Sequence, residues 1–252
     1  MTPSEPHRPR ADTVHNPPRV GTVSDVTELA SFYADPPDGV RVNMIFSADG
    51  AAAFGGRAGP LSGQTDQQLL KILRGFADVV LVGAATARAE NYGPVQLSET
   101  QQAERHREGK TKPPPIAVIS RTGELPTRLV GDPNQPPLLV TCADSAARHE
   151  RTSDQRCGVL VAGEESVDVA LAVALLRMHG LSRVLCEGGP TLLDELVDAD
   201  LVVEVCVTLA PKLAASQPVG HRRQPSQLAL PAALRLTHAL VYDDYLFLKY
   251  RR

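Results

Sequence analysis

Residues 184–193, VLCEGGPTLL, restrict the fold of this chain more than any other stretch. Val184, Leu185 and Cys186 read as the end of a buried strand that Glu187 closes. Gly188 and Gly189 make a tight turn, and Pro190 suits the first position of a helix. Leu192, Leu193, Leu196 and Val197 then recur at helical spacing. Two residues without Cβ atoms let a bound group approach the backbone. The N–H groups and positive dipole end of the helix behind them favour an anion such as a phosphate. A tight connection alone would have the same outline; the carboxylate of Glu187 beside it points to chemistry rather than packing.

The arrangement recurs at residues 78–90. A buried strand reaches Gly83, and Ala84, Ala85 and Thr86 open another helix, with Thr86 as a hydroxyl donor, Arg88 as a cation and Glu90 as a carboxylate near that end. Two strand–turn–helix anion sites in one sheet suit a ligand with more than one phosphate, as a dinucleotide has. Between them in function stands the strand at residues 40–46, which ends in Ser47-Ala48-Asp49-Gly50. Asn43 lies inside this otherwise apolar strand, and a buried amide has to find a hydrogen-bond partner in the core or on a ligand. The small, Gly-rich residues 51–60 read as a loop over a site. A helix at residues 62–76 buries Leu69, Leu70, Leu73 and Phe76. Asp66 in its first turn is either a dipole-compensating charge or a carboxylate that points into a cleft.

The remainder alternates. Residues 26–33 give a short amphipathic helix with Ser24 as its cap. Residues 97–114 are charged and read as an exposed connection; they contain His106-Arg107-Glu108, an H-x-E that no P-C-x-x-C follows, so a deaminase zinc site is not expected. Strands are expected at 116–120, 138–141, 158–162, 201–210, 228–240 and 241–250, and helices at 145–150 and 167–179. The last two strands form an antiparallel pair. This order defines an α/β fold with a mostly parallel mixed sheet flanked by helices, whose ligand lies at the carboxyl ends of the strands. Residues 1–20, rich in Pro and Arg, read as a disordered tail, and residues 21–252 as a single domain.

Composition excludes other classes. A net charge of −3 and 4% aromatic residues with no Trp leave no footprint for nucleic acid. Four scattered cysteines give no metal or disulfide framework. No apolar run approaches the roughly 18 residues of a membrane span, and a signal-peptide core is lacking, so a cytoplasmic protein is expected.

Asn43, Ser47, Asp49 and Gly50 (N-x-x-x-S-x-D-G), Ser62 and Asp66 (S-x-x-x-D), ADVVLVGAATARAE at 77–90, LCEGGPTLLDEL at 185–196 and LAPKL at 209–213 follow one another as they do in one family. The chain resembles the RibD C-terminal family, the pyrimidine reductases of riboflavin biosynthesis, over residues 40–252. The resemblance implies a dihydrofolate-reductase-like fold, NADPH as cofactor, a homodimer, and reduction of a small heterocycle, 5-amino-6-(5-phosphoribosylamino)uracil. It places Gly83, Ala85 and Thr86 at the first phosphate turn, and Gly188, Gly189, Pro190, Thr191 and Leu192 at the pyrophosphate loop. Ser120 matches a cofactor-side hydroxyl, Asn43 lies near the nicotinamide, and Glu187 matches an acid near the substrate. Ser47, Asp49, Ser62 and Glu90 fall on the substrate side, and we add Arg88 as a partner for a 2′-phosphate. Asp66, Glu187 and Asn43 are the expected catalytic groups.

Two departures bear on the substrate. The family has Lys or Arg after S-x-D-G, where this chain has Ala51, Ala52 and Ala53. Asp66 occupies a place like that of the pterin-binding acid of dihydrofolate reductases. A pterin or dihydrofolate reductase is therefore one alternative, and an NADPH-binding module without turnover is another.

Overall fold

The computed structural model describes residues 17–151, 156–215, 217, 226 and 228–252. Ten strands form one sheet: β1 (Arg19–Thr22), β2 (Gly39–Ser47), β3 (Val79–Gly83), β4 (Ile116–Ile119), β5 (Leu138–Thr141), β6 (Gly158–Val161), β7 (Arg183–Cys186), β8 (Val202–Ala210), β9 (Arg235–Tyr242) and β10 (Tyr245–Arg251). Their order is β1-β9-β10-β8-β2-β7-β3-β4-β5-β6, and β10 alone runs against its neighbours. This is the expected mostly parallel sheet with an antiparallel C-terminal pair. Among the described residues seven α-helices connect it: α1 (Val26–Ser31), α2 (Gln64–Phe76), α3 (Ala84–Ala89), α4 (Glu99–Arg107), α5 (Ala143–Arg151), α6 (Val169–Met178) and α7 (Pro190–Asp198).

The central strands carry apolar residues on both faces because helices cover both. On one side Leu69 and Leu73 of α2, Leu29 of α1 and Ala87 of α3 pack on Val80, Val82 and Leu185. On the other, Val173 and Leu176 of α6 with Leu192 and Leu196 of α7 pack on Val40, Val42, Val184 and Cys186.

Four local expectations change. The tail boundary at residue 20 falls inside β1, which pairs with β9; residues 1–16 of the expected tail lie outside the described residues. The cap of α1 is Asp25, whose carboxylate accepts from Thr27 and Glu28 N–H, whereas Ser24 donates to Glu28. The final strand pair begins later than expected, at Arg235. The connection at 97–114 contains α4, which has no apolar stripe to betray it. A capping box fixes it instead, formed by Ser98 and Gln101, together with the buried Arg105 guanidinium that donates to the carbonyls of Gly75, Ala77 and Lys112.

Beneath α1 the inner face of β8–β10–β9 is polar. Arg41 pairs with the buried Glu204 at 2.5 Å, Glu204 also takes Arg251 at 2.7 Å, and the Lys249 ammonium donates to the carbonyl of Phe32. His238 is wedged edge-on against Phe32 and Tyr33, and its Nε2 is buried without a partner. Burial, with Lys249 and Arg41 adding to it, pushes the imidazole down from 6.5 to about 3. Folded His238 is thus neutral, while the unfolded chain binds a proton below pH 6.5. The stability it preserves is complete above pH 6.5 and is lost as the pH falls toward 3. Chemical denaturation is expected to show a loss of up to about 2 kcal/mol between pH 6.5 and about 5, and His238→Phe should flatten that slope. Equal slopes in both proteins would refute the assignment.

Candidate active site

The connections locate a crevice. β2 hydrogen-bonds to β7 only from Gly39 to Val42, yet it stays paired with β8 as far as Ser47↔Ala210. From Asn43 onward its β7-side edge is therefore open. The chain leaves β2 for α2 on one face of the sheet and leaves β7 for α7 on the other. Adjacent parallel strands that diverge in this way make the crevice in which α/β sheets bind ligands.

The Gly188–Gly189 turn forms one wall. Gly188 has φ +92°, a conformation that side chains avoid, and its carbonyl accepts from Gly83 N–H at 3.0 Å. The N–H of Gly189 donates to Thr86 Oγ1 at 3.2 Å, and a Cβ on Gly189 would lie 2.8 Å from that oxygen. The two turns read in the sequence are thus laced together side by side. Gly189 caps α7 without a side chain, and Pro190 carries no N–H, so the N–H groups of Thr191 and Leu192 are the donors left at the start of α7, with no acidic residue in its first turn. Pro190 and Thr191 are exposed, whereas Leu192 is buried in the core. Ala85 and Arg88 are exposed on α3, and the Arg88 guanidinium lies 4.0 Å from Glu124. Ser120 is buried in the turn after β4, where it accepts from Gly123 N–H at 3.1 Å.

Polar atoms without partners collect on the α2 side of β2. The Asn43 Oδ1 and Thr208 Oγ1 atoms are buried and unpaired, on neighbouring strands whose register sets Asn43 opposite Cys206 and Ile45 opposite Thr208. Asp66, 7% exposed at the start of α2, lies close to Thr208 but outside hydrogen-bond geometry. Its Oδ2 accepts from Ser62 Oγ at 2.7 Å. Burial raises the Asp66 pKa, and Ser62, Thr208 and Lys212 oppose the rise. Lys212, unassigned from sequence, donates to the carbonyls of Pro60 and Ser62 at 2.9 and 3.2 Å. It brings a cation to Asp66 although Ala51 replaces the one expected after Asp49-Gly50. The only signal for it was the LAPKL segment that follows β8.

Glu187 is differently placed from a free acid. Its side chain is 3% exposed; Oε1 accepts from Arg74 Nε at 2.7 Å, and Oε2 accepts from Arg74 Nη2 at 2.6 Å and from Tyr92 OH at 2.7 Å. The Arg74 guanidinium also lies over the Tyr92 ring. Glu187 raises the pKa of Arg74 against the opposing effect of burial; burial first, and Glu187 second, raise that of Tyr92. Both carboxylate oxygens are engaged, so Glu187 ties α2 and Tyr92 to the wall of the crevice. Arg74 and Tyr92 are the residues that sequence reasoning missed here.

The substrate-side residues shape loops. Ser47 Oγ donates to Asp49 at 2.5 Å and accepts from Ala51 N–H, while the Asp49 carboxylate takes the N–H groups of Ala214 and Ala215. Glu90 accepts from Ala58 N–H at 2.6 Å and lies 3.6 Å from Arg57, which pins the 51–60 loop to the end of α3. The His106-Arg107-Glu108 run sits at the end of α4. Among the described residues no group of three His, Cys, Asp or Glu converges on a metal site, and no helix is long and apolar enough to cross a membrane.

A mostly parallel sheet with an antiparallel C-terminal pair, split at β2 and β7 beside a double-glycine turn, defines a dihydrofolate-reductase-like α/β protein. The sequence profile of the RibD C-terminal domain matches residues 39–247, and the chain belongs to that family. It is 27% identical over 176 residues to a 2,5-diamino-6-ribosylamino-4(3H)-pyrimidinone 5′-phosphate reductase of Archaeoglobus fulgidus, covering 68% of this chain and 80% of that one. The reductase of the same name from Methanothermobacter thermautotrophicus is 27% identical over 188 residues, 69% of this chain and 78% of its own. Among solved structures, a pyrimidine reductase-like protein from Corynebacterium diphtheriae superposes with a TM-score of 0.74 at 27% identity, covering 87% of this chain and 94% of that one.

Proposed function

We propose that this chain is an oxidoreductase that uses NADPH to reduce a ribosylamino-pyrimidinone 5′-phosphate, the reaction class for which its archaeal relatives are named. One observation carries the reading: the β2 edge that opens from β7 at Asn43 lies beside a double-glycine turn, Gly188 at φ +92°, that leads into α7 without a side-chain cap. The residues present fit a nicotinamide dinucleotide. The first turn of α7 offers a pyrophosphate N–H donors, and Thr86 Oγ1 holds Gly189 in register. Asn43 has an unpaired, buried acceptor at the open edge of β2, suited to an amide N–H. When bound, NADPH supplies the hydride.

Asp66 sets the substrate edge. Among the crevice carboxylates Glu187, Glu90 and Asp49 are each taken by cationic or backbone donors, whereas Asp66 keeps a carboxylate oxygen available beside Thr208. A carboxylate in a desolvated pocket pairs with an amidine-like edge, a ring N–H next to an amino group, through two charge-assisted hydrogen bonds. The 2-amino pyrimidinone presents that edge; a uracil presents a carbonyl there, which repels a carboxylate. This favours the diamino substrate of the archaeal names over the deaminated uracil expected from sequence. A pterin bears the same 2-amino edge, so the same residue supports dihydrofolate as a second substrate reading.

Calorimetric titration tests the cofactor site. NADPH is expected to bind, and Gly189→Ala to weaken it by at least about tenfold, because the new Cβ displaces Thr86 and deforms the turn. Absence of NADPH binding to the unmodified chain, or unchanged affinity in the variant, would overturn the placement.

A further inference from the structure

The wall of the crevice that carries Asp66 has buried hydroxyls behind it with nothing to bond. Tyr33, just past the end of α1, is 0% exposed, and its OH has no partner in the protein. Thr208 Oγ1 on β8 is buried and unpaired in the same way. Several contacts hold the Tyr33 ring in place. The Tyr33 carbonyl accepts from the Arg41 guanidinium at 3.3 and 3.4 Å. The ring stands edge-on to His238, 4.9 Å between centroids, with the Lys249 ammonium 5.3 Å away. Lys249 lies opposite Cys206, and Thr208 is the next residue of β8 on that side. Asp66 arrives from α2, which packs on α1. The Tyr33 hydroxyl sits within electrostatic reach of Asp66, with Cys206, Arg41 and Glu204 also near. A phenylalanine would fill this space without burying a polar atom, so the hydroxyl calls for a partner. α1 and Tyr33 precede residues 39–247, the span that matches the RibD C-terminal domain, so the hydroxyl is brought here by an element outside that match.

We propose that Tyr33 is a positioning residue for Asp66: the Tyr33 and Thr208 hydroxyls share an internal water that donates to Asp66 Oδ1 and holds the carboxylate toward the 2-amino edge of the substrate. The role in substrate binding rests on the function proposed above; the contact does not. The water accepts from Tyr33 O–H and donates to Asp66 and to Thr208 Oγ1, the three bonds usual for a buried water. Ser62 already donates to Oδ2, so both oxygens are fixed, and each keeps a second lone pair for the substrate. That sets the plane of the carboxylate, which two parallel hydrogen bonds to an amidine-like edge require. A donor to the charged form also favours that form. The water thus adds to Ser62, Thr208 and Lys212 in opposing the effect of burial on Asp66. Other charged and titratable groups face Asp66 from the elements packed around it. Tyr245 does so from β10, with Asp243 in the turn before it bonded to Thr65, and Arg41 and Glu204 lie behind Tyr33.

Carboxyl carbon-13 NMR of the full, unliganded chain, with Asp66→Asn to assign the resonance, tests the contact without need of turnover. Tyr33→Phe is expected to raise the Asp66 titration midpoint by at least about half a pH unit, about threefold in its acid constant. Thr208→Val is expected to shift it in the same direction. The double variant should go no further than the larger single shift, since both changes remove one water. In kinetics Tyr33→Phe should raise KM for the 2-amino ribosylamino-pyrimidinone phosphate about tenfold and leave kcat within about twofold. The acid limb of kcat/KM should move up with the NMR midpoint. A hydroxyl with a merely structural part would change unfolding and leave the midpoint where it was. An unchanged midpoint in Tyr33→Phe overturns the proposal, as do shifts that add in the double variant or a shifted midpoint with unchanged KM. Should Tyr33→Phe not fold, Thr208→Val decides by the same titration. A shifted midpoint in a chain that reduces no pyrimidine supports the Tyr33–Asp66 contact and overturns the proposed function instead.

Discussion

Asp66→Asn is expected to raise KM for the 2-amino ribosylamino-pyrimidinone phosphate by about a hundredfold, since two hydrogen bonds to a charged acceptor are replaced by one mismatched amide. NADPH affinity should stay within about twofold, because the dinucleotide site proposed above lies on the other wall, at the turn before α7. The pH profile separates this role from a structural one. Burial raises the Asp66 pKa above the ordinary aspartate value of 3.8, so the ionised form that grips the substrate is lost as the pH falls through that raised value. The acid limb of kcat/KM should therefore lie above the range of a free aspartate and vanish in the Asn variant. A variant whose KM is unchanged and whose acid limb persists would remove Asp66 from the substrate site.

The second large effect concerns stability. Arg74→Met leaves the Glu187 carboxylate, 3% exposed, without its bidentate partner, and removes the guanidinium stacked on Tyr92. Stripping one member from a buried pair costs about 3–5 kcal/mol, because the remaining charge stays desolvated. Denaturant unfolding of Arg74→Met should show that loss, and the double variant with Glu187→Gln should recover a substantial part of it. Glu187→Gln alone is expected to cost less, since the Arg74 side chain is 18% exposed and can turn toward water. If Arg74→Met and the double variant were equally unstable, the charge on Glu187 would not be the cause. The same geometry makes the wall of the crevice depend on the Arg74–Glu187 pair.

How far the sequence discloses all this depends on how far each contact reaches along the chain. The strand and turn at Glu187-Gly188-Gly189-Pro190 were legible because their determinants are adjacent: an apolar run, two glycines and a proline at a helix start. Asn43 was legible for a related reason, a polar residue interrupting a strand of period two. The partners of Glu187 were not, since Arg74 and Tyr92 are 113 and 95 positions away and no local pattern couples them. α4 escaped because hydrophobic periodicity is the main helical signal and its stability comes from a capping box and the buried Arg105. Lys212 was visible as a letter in LAPKL, but its approach to Asp66 arises only when the end of β8 folds against the start of α2.

In the proposed function, the crevice between β2 and β7 carries out reduction of a 2-amino pyrimidine with NADPH. The most direct test follows the near-ultraviolet absorbance of reduced nicotinamide with the 2,5-diamino ribosylamino-pyrimidinone phosphate, its deaminated uracil counterpart and dihydrofolate supplied in parallel. NADPH oxidation is expected with the diamino compound, well above that with the uracil, and is expected to be lost in Asp66→Asn. Oxidation with dihydrofolate and not with either pyrimidine would assign the pocket to pterins. Tight NADPH binding with no oxidation in any of the three would contradict the claim and leave a binding module.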